Sequence, residues 1–367
     1  MIQVPLWYIS YIMKTLKRDK VILNFRENLR EQKGVLAGQY PHVVEDKIYY
    51  QMELPKEIHY AIKNGEGYKK PLYNNIISKS LSAHNFRVFI DTNPHTPEDE
   101  RYKAVGGYHV GRASTKTPHL LGLHQAQLYG ELNDCPISKG LEVIPFQDPV
   151  WPDFTKLLFK DDFFHPRHAN GLYIFKSPDG INWTEYYDKP IFSTFTDEVL
   201  GFDTLPSIFY DHNINEYVIY LRANLRLGVR CVMYSRSKDL IKWSEPILIE
   251  TDPPFDMNHE NLYYMCAFPF RGKYIAFPPH FKNEIISDTN RLYSDAKTKV
   301  MISDDGIKWK TVDEILQSNT TGHMTFPHVV SFKEEDGEYA LYVHEDFMSG
   351  NNIMVRYTID KEELDAF

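Results

Sequence analysis

Apolar side chains recur at every second position in short segments along this chain, and each segment stops at a polar turn. Lys47-Ile-Tyr-Tyr-Gln-Met52, Glu216-Tyr-Val-Ile-Tyr-Leu221 and Glu338-Tyr-Ala-Leu-Tyr-Val343 are of this kind. A period of two predicts strands with one face buried. Before each lies another apolar segment and a turn: His42-Val-Val-Glu45, Ser207-Ile-Phe-Tyr210 and Val330-Ser-Phe332. A further group of strands, Leu172-Tyr-Ile-Phe175, Cys231-Val-Met-Tyr234 and Lys299-Val-Met-Ile302, leads into a repeated turn. That turn reads Ser-x-Asp-(Gly or Leu)-Ile-x-Trp at 177–183, 237–243 and 303–309.

The three tryptophans stand 60 and 66 residues apart. Four strands per repeat is the pattern of a propeller blade. Beyond a leading segment, the chain divides into five units of about 67 residues. The expectation is therefore an all-β, five-bladed β-propeller forming one domain over 38–360, after an N-terminal extension, 1–37. The blades are placed near 38–75, 85–190, 198–248, 256–312 and 322–360. Blade one has a degraded turn at Asn64-Gly-Glu-Gly67, and blade two is swollen by an insertion near 110–165. The charged stretch 14–33 is read as a helix packed outside the propeller.

Composition narrows the chemistry. The 367 residues are 43% hydrophobic and 25% charged, ordinary for a globular chain with a sizeable core. Aromatic residues make up 14%, which suits strands. A net charge of −9 disfavours nucleic acid or an anionic membrane as the main partner. Cys135, Cys231 and Cys266 are odd in number and lack metal-ligand spacing, which fits a reducing compartment. The apolar run Val4–Met13 has no basic segment before it and no small-residue cleavage site, so a cytoplasmic location is expected. His109, His119, His124, His165 and His168 in the insertion lack regular spacing, and no metal or cofactor is expected. No phosphate-cradling Gly-rich loop, His-Glu-x-x-His or Gly-x-Ser-x-Gly motif is present.

A propeller gathers the innermost strand of every blade around one channel, so acids distant in sequence can meet there. The turn repeats, Asn74-Asn-Ile76, the run His84–Pro94, Glu100–Gly107, Gly201-Phe-Asp-Thr204 and His259-Glu-Asn-Leu-Tyr263 carry a resemblance. The chain resembles the five-bladed superfamily of arabinanases, β-xylosidases, invertases and levansucrases, over about 38–357. The resemblance implies hydrolysis of a glycosidic bond by paired carboxylates. It implies Glu260 as general acid and Asp203 as the orienting group. The base or nucleophile usually stands on the first strand of blade one, which here holds no acid, and Asp91 is its best substitute. His42, Arg222, Arg230, His259, Asp295 and His328 are candidates for binding a carbohydrate. Two other readings stand beside hydrolysis: transfer of the sugar to phosphate, and glycan binding without catalysis.

Overall fold

The computed structural model describes residues 15–25, 35–54, 57–71, 75–78, 84–108, 171–193, 204–224, 230–256, 260–287, 290–317, 327–347 and 352–367. The insertion near 110–165 and its five histidines lie outside them. Helix among the described residues is limited to Glu98–Glu100 and Lys361–Asp365. The rest is an all-β arrangement of five sheets. Sheet 1 starts with the strand Val35–Val44, sheet 2 with His84–Ile90 and sheet 3 with Ser207–Asp211. Sheet 4 takes its strands from 250–315, and sheet 5 starts with His328–Glu335.

Two differences from expectation concern the ends of the arrangement. Lys17–Asn24 is a strand, not part of an outer helix, and pairs antiparallel with Ile353–Ile359 to complete sheet 5. Its apolar half turns Ile22 and Leu23 into the core. Four sheets follow a simple four-strand antiparallel path, so four regular blades are seen where five were expected. Sheet 4 departs because it holds seven strands. The long hairpin of Pro279–Ser287 and Asn290–Ser303 also carries Glu260–Leu262, and Glu250–Asp252 joins the outer strand in parallel.

The first strands of the sheets pack side by side as a ring. Sheets 5 and 1, 1 and 2, 2 and 3, and 3 and 4 meet through these inner strands. Sheet 4 meets sheet 5 where Phe268 and Phe270 pack on Phe332 at 5.7 and 5.9 Å. Polar side chains tie the ring at mid-height. The Val43 amide donates to Ser331 Oγ at 2.8 Å, the Val88 amide to His42 Nε2 at 2.9 Å, and Ser207 Oγ to the Ala267 carbonyl at 2.9 Å. Between neighbouring sheets lie apolar clusters, such as Tyr49, Val88 and Trp183 between sheets 1 and 2. Burying such aromatic area supplies the main driving force for closure.

The repeated turn explains how neighbouring sheets are held. Asp179 Oδ1 accepts from the amides of Ile181 and Asn182, both at 2.8 Å, while the Trp183 indole donates to the Gly180 carbonyl at 3.0 Å. The same bonds recur around Asp239 and Asp305. Each is an Asx turn locked by an indole. Tyr49 of sheet 1 then donates to the Gly180 carbonyl at 3.0 Å, and Tyr220 of sheet 3 to that of Gly306 at 2.9 Å. A Cβ on Gly180 or Gly306 would fall 2.3 or 2.9 Å from those phenol oxygens. Both glycines also have positive φ. In sheet 3 the place belongs to Leu240, also at positive φ, which is buried in a cluster with Val105.

Two substitutions test this account. Gly306→Ala is expected to lower stability by about 1–3 kcal/mol in urea unfolding, through backbone strain and the phenol contact. Leu240→Gly, which restores the sequence pattern, is expected to lower it by about 2–4 kcal/mol through the lost leucine. A stabilised Leu240→Gly protein would contradict the packing described.

Candidate functional site

The inner strands have two ends, and the candidate residues divide between them. At the C-terminal ends, acids meet tyrosines of the following sheet. Tyr102 donates to Glu45, Tyr217 to both Asp91 oxygens at 3.1 and 3.0 Å, and Tyr274 to Asp211. Asp91 therefore belongs to a repeated latch between sheets. Its carboxylate also accepts from Thr96 Oγ1 at 2.8 Å and the Asn93 amide at 3.0 Å, and lies 3.5 Å from buried Lys103 Nζ. Asp91 follows Val88, at mid-height, by three residues, whereas Glu260 precedes mid-height Ala267 by seven. The two carboxylates are thus at opposite ends, which corrects the pairing of Asp91 with Glu260. Asp-Thr-Asn-Pro is here a turn that closes a strand.

The other end assembles residues from sheets 1, 3, 4 and 5. Arg222 donates from Nε and NH2 to the Tyr263 carbonyl at 3.1 and 3.0 Å, with its guanidinium 4.1 Å above the Tyr263 ring. Arg230 lies over the same ring at 5.7 Å. The Tyr263 hydroxyl is 3.2 Å from that of Tyr40 in sheet 1. Arg222 and Tyr263 are buried, so this stack is a floor, whereas Arg230 and Glu260 are only partly buried. Asn261, fully buried, accepts from the Arg230 amide at 2.9 Å and so fixes Glu260 beside the strand Arg230–Ser237.

Glu260 has a cationic setting. His280 Nε2 lies 3.3 Å from Oε1, without hydrogen-bond alignment, and the Asp256 amide donates to Oε2 at 3.2 Å. His280 foremost, with the Asp256 amide and Lys299, outweighs burial and pulls the carboxyl down to about 2. Burial in turn lowers the Lys299 ammonium, partly offset by Glu260. Glu260 is accordingly an ionised carboxylate at neutral pH.

Both Pro-His-Val histidines are sealed, contrary to the expectation that they touch a sugar. His42, 0% exposed, accepts the Val88 amide at Nε2 and directs Nδ1 to the Tyr40 carbonyl at 3.4 Å. Burial, then Arg87, holds it well below the usual histidine range. His328 packs under Phe347 at 4.4 Å and beside Tyr264 at 5.3 Å. Burial, with His344 and Arg222, likewise keeps it neutral. Asp203 and His259 lie outside the described residues, as does the side chain of Asp295 on its strand. Tyr263, His280 and Lys299 are site residues that the pattern analysis passed over. Tyr263 ends the same His-Glu-Asn-Leu-Tyr run as Glu260, whereas His280 and Lys299 reach it through strand pairing alone.

No family model and no curated protein matches the chain. Solved structures do match its fold. A structure described as a glycoside hydrolase aligns with a TM-score of 0.53 and 10% identity, covering 95% of this chain and 92% of that one. An N-acetylgalactosamine deacetylase from F. plautii, in complex with blood group B trisaccharide, aligns with a TM-score of 0.51 and 11% identity. That match covers 94% of this chain and 95% of the other. The fold is thus shared with both of these structures, one of them a glycoside hydrolase, as the turn repeats led one to expect.

Two measurements follow from the site's geometry. Because its folded value is depressed, Glu260 stabilises the protein above its ordinary value of 4.5 and loses that effect as pH falls towards about 2. The stability gap between the protein and Glu260→Gln should be constant from pH 7 to about 4.5, then narrow in urea titrations at lower pH. Asp91→Asn should cost about 1 kcal/mol, because the buried Lys103 loses one of two carboxylates but keeps the Glu100 carbonyl at 2.6 Å and its carboxylate at 3.5 Å. It should leave ligand binding at the Glu260 end unchanged, as calorimetry would show.

Proposed function

We propose that this chain is a glycoside hydrolase built as one five-bladed propeller domain, with the seven-stranded sheet as its fifth blade. The observation that carries this reading is Glu260, ionised and partly exposed where several inner strands begin, beside Arg230 and above the Tyr263–Arg222 floor. The fold shared with carbohydrate-acting enzymes supports it. In this reading Glu260 is the base or nucleophile, a reversal of the acid role implied by the resemblance, because a carboxylate held near 2 has no proton to give. Asp203 supplies the protonated partner; in sequence it stands four residues before Ser207, where sheet 3 begins. Arg230 binds a sugar hydroxyl or carboxylate next to the scissile bond. If the two carboxyls stand about 5–5.5 Å apart the reaction retains configuration, and at about 6.5–9.5 Å it inverts.

A second reading, a glycan-binding propeller without turnover, draws on the inner strand Val35–Val44. That strand offers Gln39 and Tyr40 where an acid is customary for the resemblance.

A panel of aryl glycosides and polysaccharides separates these. Glu260→Gln should reduce turnover by about 10³-fold or more on substrates with good and poor leaving groups alike. Asp203→Asn should spare activated aryl glycosides, which need no acid. Glu260→Gln sparing only the activated substrates would return Glu260 to the acid role. Glycan binding with no turnover of any substrate would establish the second reading.

A further inference from the structure

Each oxygen of the Glu260 carboxylate has one donor group beside it, and one of the two is a buried side chain. His280 stands on the strand Pro279–Ser287 directly across from Leu262, and Glu260 begins the same short strand as Leu262. This register puts His280 Nε2 3.3 Å from Glu260 Oε1, while the Asp256 amide donates to Oε2 at 3.2 Å. His280 is 4% exposed, and neither ring nitrogen has a hydrogen-bond partner among the described residues.

Charged groups face this pair from each strand nearby. The histidine's own strand carries Lys282, opposite Glu260. The next strand carries Lys297, opposite His280, and Lys299, and the strand after it carries Glu314. On the other side of Glu260 lies Arg230. Lys297 Nζ donates to Glu314 Oε2 at 2.8 Å, so Glu314 is engaged elsewhere. Among the described residues, Glu260 is the carboxylate in contact with the imidazole. A ring nitrogen that turned a lone pair to a carboxylate oxygen at this distance would be repelled. Nε2 therefore carries a hydrogen, whichever charge the ring has. Alignment needs only a turn about the Cβ–Cγ bond, a soft torsion with a broad minimum. Catalytic hydrogen bonds are often long or misaligned before substrate binds.

We infer that His280 is a positioning residue for Glu260: its Nε2–H turns onto Oε1 and, with the Asp256 amide on Oε2, fixes the plane of the carboxylate. A carboxylate fixed at both oxygens meets the reacting atoms without a search through its own rotamers. The role in turnover rests on the hydrolase reading above, whereas the contact itself does not. The depressed Glu260 carboxyl, with His280 as its first cause, agrees with this assignment.

Nitrogen NMR of the unsubstituted protein reads the tautomer: Nε2 should be protonated, and a hydrogen on Nδ1 alone would overturn the inference. Carbon NMR follows the Glu260 carboxyl, identified by its loss in Glu260→Gln. In His280→Leu its midpoint should rise from about 2 towards the ordinary 4.5. His280→Gln, which keeps an N–H, should hold it below the value in His280→Leu. An unmoved midpoint in His280→Leu overturns the inference whether or not the protein hydrolyses anything. On any glycoside that turns over, His280→Leu should lower kcat about 10–100-fold with KM nearly unchanged. The acid limb of its kcat/KM profile should move up in pH, and His280→Gln should recover part of both. A fall in kcat with the acid limb in place and no recovery in His280→Gln would show a merely structural role and sink the assignment. Absence of turnover in the parent would remove the hydrolase reading and leave the NMR results to decide the contact. Should His280→Leu fail to fold, the tautomer in the unsubstituted protein decides.

Discussion

The arrangement depends on one closure, the pairing of Lys17–Asn24 with Ile353–Ile359. Strand pairing inside a sheet is local, but this pair joins positions more than 300 residues apart in sequence. Its entropic cost grows slowly with loop length, so the long separation adds little. The gain is that sheet 5 is completed by the chain that runs on to sheet 1. The buried Ile22, Leu23 and Phe25 then share a cluster with Ile48, Tyr50, Val330 and Tyr342. The Ser331–Val43 tie and the reach of Arg87 to Val330 both presuppose that sheets 5 and 1 are held side by side.

Given the closed ring, strand direction sorts the acids. Acids at strand ends, Glu45, Asp91 and Asp211, become latches for tyrosines of the following sheet. Glu260 comes before its sheet's inner strand and faces the opposite opening. One end is thus devoted to cohesion, and the other holds a partly exposed carboxylate beside His280 and the Asp256 amide. The histidines at mid-height serve the same division, since the imidazole of His42 satisfies backbone groups at both nitrogens.

Much of the fold was legible because the Ser-x-Asp box writes its own hydrogen bonds into local sequence. A serine, an aspartate two residues on and a tryptophan four beyond that determine the turn whatever lies around it. The first strand was missed because Lys17-Arg-Asp-Lys20 breaks the alternation, as charged edge strands do. Asp91 was misplaced although its position after an apolar strand, instead of before one, was visible. The partners of Glu260 could not be read from spacing. His280 and Lys299 come from two strands of a hairpin whose register only the pairing reveals.

The outermost strands have a consequence for the company this protein keeps. Those of sheets 1 to 4 span only two or three residues: Gly67–Lys69, Thr184–Glu185, Ile247–Leu248 and Glu250–Asp252. Among the described residues the long outer strand is Lys17–Asn24, which exposes Lys17, Arg18 and Asp19 along its first half. Unpaired strand edges are templates for another chain's backbone, and short or charged ones are poor templates. At high concentration the perimeter of this ring therefore resists growing, sheet by sheet, into a fibre.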